Sequence, residues 1–225
     1  ICLNENQDPL NILRKVENKL GKEVEAFEYM PAFYVKEFYR LFPKKVKFFD
    51  RYHDINILLE VASNSDVMND EDNSGTSILK NHLEEILSSF LDENLLEDVL
   101  IAQNDSQRKS MWEIREAAAE ITVSRKPVVI TDVSLPLDSV SNFINLVNKK
   151  LDHVEKQAPS TFVSHLGDGN VHYWVWPKND DKLLHDNIVE IIEGIVYDLK
   201  GSFSAEHGIG IAKLNSMKRR KDNTA

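Results

Sequence analysis

The sequence has only one cysteine, Cys2, among 225 residues. A single thiol cannot form an internal disulfide, so the pattern excludes a disulfide-stabilised scaffold and favours a reducing compartment such as the cytoplasm. Long apolar runs are also missing, since every run is far shorter than the roughly 20 residues that a membrane helix needs. The chain opens without a signal-peptide pattern. We therefore expect a cytoplasmic globular protein with no membrane span.

Positive charge is scarce as well. The chain carries 27 lysines and arginines against 37 aspartates and glutamates, which gives a formal net charge of -10. A surface of that sign repels nucleic acid and anionic membranes, so neither is expected as a partner. One basic run interrupts this pattern, Lys218, Arg219, Arg220 and Lys221, and we expect it to be part of a solvated tail.

Neither end of the chain has the pattern of a complete domain boundary. The sequence starts at Ile1 without a methionine and runs directly into an apolar segment. At the other end, residues 213–225 form a polar tract in which no closing element is predicted. We expect a fragment of a longer polypeptide that forms one domain over residues 1–225.

The composition itself is that of an ordinary globular protein, with 42% hydrophobic and 28% charged residues. Strand and helix signals alternate along the chain, which predicts an α+β fold with helices packed on a mainly antiparallel sheet. The first helix shows the clearest signals. Asp8 is a good N-cap, Pro9 suits the first helical position, and Gly21 ends an amphipathic run.

The other predicted elements follow from the same periodicities. Strands are predicted at residues 24–27, 55–61, 98–102, 128–133, 161–164, 171–176 and 202–205. Helices are predicted after Pro31 and at residues 78–90, 105–121, 136–151 and 184–199. The acidic stretch 63–75 predicts a flexible loop, and it lacks the spaced ligands and closing glutamate of an EF-hand calcium site.

The segment SHLGDGNVHYWVW, residues 164–176, is the most informative stretch. Asp168 and Gly169 between two strand-forming runs predict a two-residue hairpin turn, which would place His165 directly opposite His172. Directly opposite side chains share one face of a ribbon, so the two imidazoles could bind one metal ion. The alternative is that both histidines are ordinary polar residues of a hairpin.

A second segment, SAEHGIG, covers residues 204–210. Half of the eight glycines of the chain fall in these two segments, which indicates a close approach of the backbone to another group. Taken alone, Glu206 and His207 would be interpreted as a surface pair at a turn. Combined with His165 and His172, Glu206 completes a two-histidine, one-glutamate ligand set that is common for catalytic zinc.

These motifs carry a family resemblance. HLGDGN followed by His172, together with EHGIG, resembles the paired signatures of the FAD-linked oxidase C-terminal domain. Flavoenzymes that oxidise D-2-hydroxyglutarate, D-lactate and glycolate contain that domain. Two further stretches are similar to the family pattern, WEIRE at Trp112 to Glu116 and TDVSLP at Thr131 to Pro136. The resemblance is most specific between Ser110 and Lys213.

The resemblance implies a function and a role for each matching residue. The function is oxidation of a D-2-hydroxy acid to the 2-oxo acid, with FAD bound mainly by an N-terminal domain outside this chain. By this resemblance, the metal, which we expect to be zinc, is bound by His165, His172 and Glu206. His207 is the general base, and Arg115 binds the substrate carboxylate. The residues that contact the cofactor are Asn170, Glu206 and His207.

The sequence also departs from the family pattern at two positions. The 2-hydroxyglutarate enzymes have a lysine at the position of Ile130 and an asparagine at that of Trp174, so the substrate is expected to be smaller or more apolar than a dicarboxylate. The family's closing Asn-Pro-Gly-Lys segment is absent after Lys213, and the chain has no glycine-rich phosphate loop. We therefore expect this chain alone to be inactive.

Two other functions remain open on the sequence alone. A stand-alone metal-dependent hydrolase could use the same ligand set with His207 as base, and a non-catalytic interaction domain would carry the histidines incidentally. The expected partners under the preferred function are a small 2-hydroxy acid, the FAD domain of the same polypeptide and a second copy of the chain in a homodimer.

Overall fold

A computed structural model describes residues 1–65, 68, 70, 77–211 and 213–220 of the chain. The chain folds as two compact units, residues 1–118 and residues 119–225. Each unit contains three β-strands in its described part, and every strand pairing within a unit is antiparallel. The predicted α+β class with a mainly antiparallel sheet is therefore confirmed.

The first unit combines a three-stranded sheet with helices. Its strands lie in the order β1-β3-β2. The elements are β1 (Cys2–Leu3), α1 (Pro9–Leu20), a 3₁₀ turn (Gly21–Glu23), β2 (Val24–Pro31), α2 (Ala32–Leu41), β3 (Ile55–Val61), α3 (Ile78–Asp92) and α4 (Asp105–Glu116).

Helix α1 begins and ends where the sequence predicts. The Asp8 side chain accepts a hydrogen bond from the Leu10 N–H at 3.0 Å, and Pro9 occupies the first turn. Gly21 ends the helix with a φ of 59°, a backbone conformation that glycine adopts without the cost a side chain would bring. The helix thus places its apolar face, including Leu13 and Val16, in the core.

The second unit contains the residues of the candidate site. Helix α5 (Ala118–Val123) begins at the boundary, and β4 (Val129–Ser134), a 3₁₀ turn (Leu137–Ser139), α6 (Val140–Val154), β5 (Ser160–His165), β6 (Asn170–Val175), α7 (Lys182–Asp198) and α8 (Leu214–Arg220) follow. The strands lie in the order β5-β6-β4. On one face of this sheet Tyr173 contacts Phe143 of α6 and Phe162 of β5. The opposite face carries Asp132, His165 and His172, because side chains alternate between the two faces.

Helix α8 corrects the expectation of a solvated polar tail. Arg219 contacts Glu190 of α7 at 2.7 Å through Nε, and Arg220 also pairs with Glu190. Ser216 donates a hydrogen bond to the buried Glu193. The carboxylates of Glu190 and Glu193 on α7 therefore hold Arg219, Arg220 and Ser216 of α8 in place. Lys221 lies outside the described residues.

Two predicted strands are wrong, and the helix predicted at residues 105–121 is two helices, α4 and α5, separated by Ala117. Near residues 98–102 the structure has only a single bridge from Asp98 to Cys2, and near residues 202–205 only a bridge from Ser202 to Ser134. A lone bridge cannot propagate a ladder, so both segments are loops. Most of the acidic loop predicted at residues 63–75 lies outside the described residues. Among the described helices, none is long and apolar enough to cross a bilayer.

Candidate functional site

The hairpin between β5 and β6 is present, but its register differs from the prediction. His165 pairs with Asn170, and Val163 pairs with His172. The connection is therefore a four-residue loop, Leu166 to Gly169, instead of a two-residue turn. The predicted direct pairing of His165 with His172 is wrong by two residues.

The loop residues explain this register. The Asp168 N–H donates to the His165 carbonyl at 3.3 Å, and the Gly169 N–H donates to the Leu166 carbonyl at 3.4 Å. These backbone groups form turn bonds within the loop and do not extend the ladder. The Asp168 carboxylate accepts a hydrogen bond from the Asn170 N–H at 3.0 Å, which closes a local turn. Gly169 has a φ of 75°, and its carbonyl accepts a bond from the Leu135 N–H at 3.0 Å. These contacts together favour the longer loop over the tight turn.

The shift leaves the two histidines on one face of the ribbon. A displacement by an even number of residues preserves the face, since the side-chain period of a strand is two. His165 and His172 are diagonal neighbours whose ring centroids lie 5.5 Å apart at an angle of 83°. The hairpin thus brings both imidazoles together, as predicted, through a different pairing.

The loop that follows α7 brings Glu206 to the same place. The Glu206 carboxylate lies 3.7 Å from His165 Nε2 through one oxygen and 3.7 Å from His172 Nε2 through the other. The ring centroid of His207 lies 5.6 Å from that of His172. Because this segment is a loop and not a strand, the neighbours Glu206 and His207 can approach one site. Gly208 and Gly210, with φ of 64° and 50°, continue the irregular backbone.

Asp132 is a member of this cluster that the sequence analysis missed. It lies directly opposite His172 in the β4–β6 pairing, and its Oδ1 is 3.3 Å from His172 Nδ1. Its Oδ2 accepts hydrogen bonds from the backbone N–H groups of Glu206 and His207, at 3.1 and 3.0 Å. The signal that could have found it is its charge, because Asp132 is the only charged residue of strand β4.

The local charges hold Asp132 in its ionised form. Burial alone would raise the pKa of this carboxyl, but the His207 N–H bond, the Lys213 charge and the His172 ring together lower the pKa below its ordinary value. The Lys213 ammonium lies 3.6 Å from Oδ2 and donates to the Asp132 carbonyl at 3.3 Å. A buried anion is therefore compensated by donors on three sides.

Two overlapping sets of side chains could each hold a metal ion. Within the described residues, His165, His172 and Glu206 form one set, and Asp132, His172 and His207 form the other. In each set the donor atoms lie within 4.8 Å of one another. Donors bound at 2.0–2.1 Å around a tetrahedral cation are about 3.3–3.4 Å apart. The 3.7 Å separations in the first set are therefore close to those of a bound cation.

Asn170 lines the same cluster from the hairpin. Its side-chain nitrogen lies 3.5 Å from His172 Nε2, and the residue is 3% exposed. Its side-chain oxygen is buried without a hydrogen-bond partner among the described residues. A buried polar atom of this kind indicates that the site accommodates a group absent from the structure. The residues present therefore fit a bound cation or cofactor.

Arg115 belongs to the first unit, whereas the side chains of the cluster described above belong to the second. It lies near the end of α4, is 8% exposed, and contacts the Glu28 carboxylate of β2 at 2.5 Å through Nε. The Tyr34 hydroxyl donates to the carbonyl of Arg115 at 3.0 Å, which also fixes the end of the helix. A structural ion pair is therefore one role of Arg115, and substrate binding stays a prediction.

Replacing Arg115 with methionine is expected to destabilise the protein by about 3 kcal/mol, because it removes a charge partner of the buried Glu28 carboxylate. The double variant Arg115→Met/Glu28→Leu should recover most of that loss, since it removes both charges. Urea unfolding midpoints would measure both effects. A single-variant cost below about 1 kcal/mol would contradict a stabilising ion pair.

The first unit also contains a cavity of about 310 Å³. Its lining is mainly apolar and includes Leu59, Leu83, Leu87, Met111 and Trp112. None of the predicted site residues contributes to it. The cavity therefore adds nothing to the cluster around His172.

Comparisons with known proteins give a family match for this chain. The family model for the C-terminal domain of FAD linked oxidases matches residues 8–225. A mitochondrial D-2-hydroxyglutarate dehydrogenase of Arabidopsis thaliana is 34% identical over 139 residues, 60% of this chain and 24% of that protein. One from Danio rerio is 27% identical over 215 residues, 93% of this chain and 37% of that protein. The chain thus spans about a quarter to a third of the length of these relatives.

Proposed function

The chain belongs to the C-terminal domain family of the FAD linked oxidases, and on that premise we propose that the protein oxidises a D-2-hydroxy acid to the 2-oxo acid. The observation that carries the proposal is the convergence of His165, His172 and Glu206, with His207 beside them, on one face of a buried sheet. A cation ligand set next to a candidate base is what oxidation of a hydroxyl group requires.

The reaction needs a flavin domain in addition to this chain. We propose that the partner is the FAD domain of the same polypeptide, because the relatives are about three to four times as long as the matched segment. On this proposal the present chain supplies the substrate side of the site, with Asn170, Glu206 and His207 facing the cofactor, and is inactive alone. A cytoplasmic location and a homodimer stay predictions.

The ligand set selects a divalent cation, and we propose zinc. Two imidazole nitrogens and one carboxylate are typical ligands for zinc with a fourth position open. A cation there would lower the pKa of a substrate hydroxyl that occupies the open position. His165 and His172 are held by the pairing of β5 with β6. Glu206, on the loop that follows α7, supplies the third ligand.

His207 is the proposed general base. Its ring lies beside His172 and is exposed on the loop, so it can reach a hydroxyl group held at the cluster. His207 would take the hydroxyl proton, and bound FAD would supply the two-electron acceptor for the hydrogen that leaves C2 with its electron pair. Loss of that proton and that hydride would give the 2-oxo acid, so atoms and electrons balance.

The substrate class follows from two positions next to the ligands. Ile130 and Trp174 are direct cross-strand partners, and they lie on the same sheet face as Asp132 and His172. Neither side chain carries a positive charge that could form an ion pair with a second substrate carboxylate. We therefore propose a 2-hydroxy acid with a small or apolar side chain, and we propose that Arg115 binds its carboxylate, which a guanidinium can grip with two N–H groups.

The decisive experiment is anaerobic reduction of the flavin in the full-length protein. Bleaching of the flavin is expected with D-2-hydroxy acids that have short aliphatic side chains, more slowly with dicarboxylates, and not with the L enantiomers. Absence of bleaching with every D-2-hydroxy acid would contradict the proposal. Retained cation without any bound flavin would instead support the metal-dependent hydrolase.

Replacing His207 with alanine is expected to slow flavin reduction by roughly 100- to 10,000-fold, the usual contribution of a general base. The cation content should not change, because His207 is outside the proposed ligand set. Stopped-flow reduction and elemental analysis of the same preparation would measure the two effects. A variant that loses its cation together with its activity would show that His207 is a ligand.

A further inference from the structure

The Asp132 carboxylate contacts both halves of the proposed cation site. Its Oδ1 faces the His172 ring of the hairpin, and its Oδ2 binds the loop that carries Glu206 and His207. We propose that Asp132 is the positioning residue that assembles the site. It fixes the tautomer of His172 and holds the loop against the sheet. This proposal rests on the function proposed above, but separate measurements test the two.

The contact with His172 determines which ring nitrogen faces the cation. Oδ1 lies 3.3 Å from Nδ1 in an ion-pair contact that does not meet hydrogen-bond geometry, so the carboxylate acts on the ring through its charge. A negative charge beside Nδ1 favours the neutral tautomer that carries its proton on Nδ1. The lone pair is then on Nε2, the atom that lies 3.7 Å from Glu206. A ligand needs that lone pair, and a carboxylate behind the ring is the usual way of presenting it. Because Asp132 and His172 are direct cross-strand partners, the sheet itself builds this contact.

The contact with the loop determines where Glu206 and His207 lie. Successive N–H groups of a regular strand point in opposite directions, so two of them reach one oxygen only where the chain turns. Both N–H groups converge on Asp132 Oδ2, at 3.1 and 3.0 Å. Asp132 is 4% exposed, so these bonds form away from water, where losing them is costly. Asp132 is therefore the side chain of β4 that binds the Glu206–His207 segment directly, and Lys213 supports the same loop by donating to the Ser204 hydroxyl at 3.1 Å.

The substitution Asp132→Asn separates these roles without changing the size of the side chain. If the amide oxygen keeps the two loop bonds, the amide nitrogen faces His172 Nδ1, and the ring proton must move to Nε2. If the amide oxygen faces His172 instead, the amide nitrogen meets two N–H donors and the loop bonds are lost. In either orientation one half of the site fails.

The test uses the full-length protein, with zinc or cobalt titrated against a competing chelator. We expect Asp132→Asn to lower the cation affinity about 10- to 100-fold. In the cation-free protein, ¹⁵N spectra should show His172 protonated on Nδ1 in the wild type. In the variant, either the proton moves to Nε2 or the Glu206 and His207 amides exchange faster with solvent. Asp186→Asn is the matched control, because it makes the same charge change at an exposed position of α7 outside both candidate ligand sets and should leave every readout unchanged.

Three results would overturn the proposal. The first is a wild-type cation affinity in Asp132→Asn. The second is a lowered affinity with neither the tautomer nor the amide exchange altered. The third is two cations bound per wild-type chain with one lost in the variant, which would make Asp132 a ligand of the second set with His172 and His207. A wild type that binds no cation would refute the metal site, and the tautomer and exchange measurements would still decide the role of Asp132.

Discussion

The variant His165→Ala is expected to lose its bound cation while the fold is retained. His165 supplies one of the three donor groups of the proposed set, and its side chain is one-third exposed, 33%. Removing a ligand should lower the affinity by more than the roughly 100-fold that an outer-shell change reaches. Because the ring does not fill the core, stability without cation should change by about 0.5 kcal/mol or less. Chelator competition and urea unfolding would measure the two quantities.

A histidine elsewhere in the same unit provides the control for this prediction. His153 is exposed on α6 and belongs to neither candidate ligand set, so His153→Ala should change neither cation affinity nor stability. If His165→Ala unfolds the protein, the ring is a core residue and not a ligand. If the cation affinity stays at the wild-type value, the ligand set is wrong.

The variant Gly169→Ala is expected to be severely destabilising. A Cβ atom at this position would lie 2.0 Å from the Leu135 carbonyl oxygen, and the backbone φ of 75° is unfavourable for any residue with a side chain. The loop must therefore move, and its hydrogen bond with the Leu135 N–H is lost. We expect a loss of at least about 3 kcal/mol in the free energy of unfolding, measured by urea titration.

Gly167, two residues earlier in the same loop, is the matched control. A Cβ at Gly167 would meet no atom within 4 Å, and its φ is not in the left-handed region. Gly167→Ala should therefore change stability by less than about 1 kcal/mol. Equal effects of the two substitutions would show that the loop does not have the tight approach to Leu135 that the structure describes.

The elements that the sequence predicts correctly are those with local signals. Asp8, Pro9 and Gly21 define α1 because a cap, a fixed φ and a left-handed residue act within one turn of the chain. The apolar face of α6 is predicted for the same reason, since its period is visible within the helix. Residues 202–205 have a strand-like composition, but Ser202 forms only one bridge, and composition does not reveal how many ladder bonds are available.

The register of the hairpin depended on a contact that is distant in sequence. Asp168 and Gly169 predict a reversal, and the reversal is present. The four-residue loop is held by turn bonds between residues 165 and 169 and by the bond from the Leu135 N–H to the Gly169 carbonyl, and Leu135 belongs to a different strand connection. The predicted proximity of His165 and His172 is nevertheless correct, because the register differs by two residues and an even shift keeps both side chains on the same face. Asp132 was missed because a single aspartate in a strand has no spacing pattern, and only the β4–β6 pairing places it beside His172.

The origin of the three proposed ligands has a thermodynamic consequence. Between His172 and Glu206 the chain runs through the whole of α7. A cation that joins these two side chains would act as a reversible cross-link across an entire helix. Its binding free energy would add to the folding free energy by mass action, because the unfolded chain has no preformed cluster. The resistance of this half of the chain to heat or proteolysis would then track the free concentration of the cation.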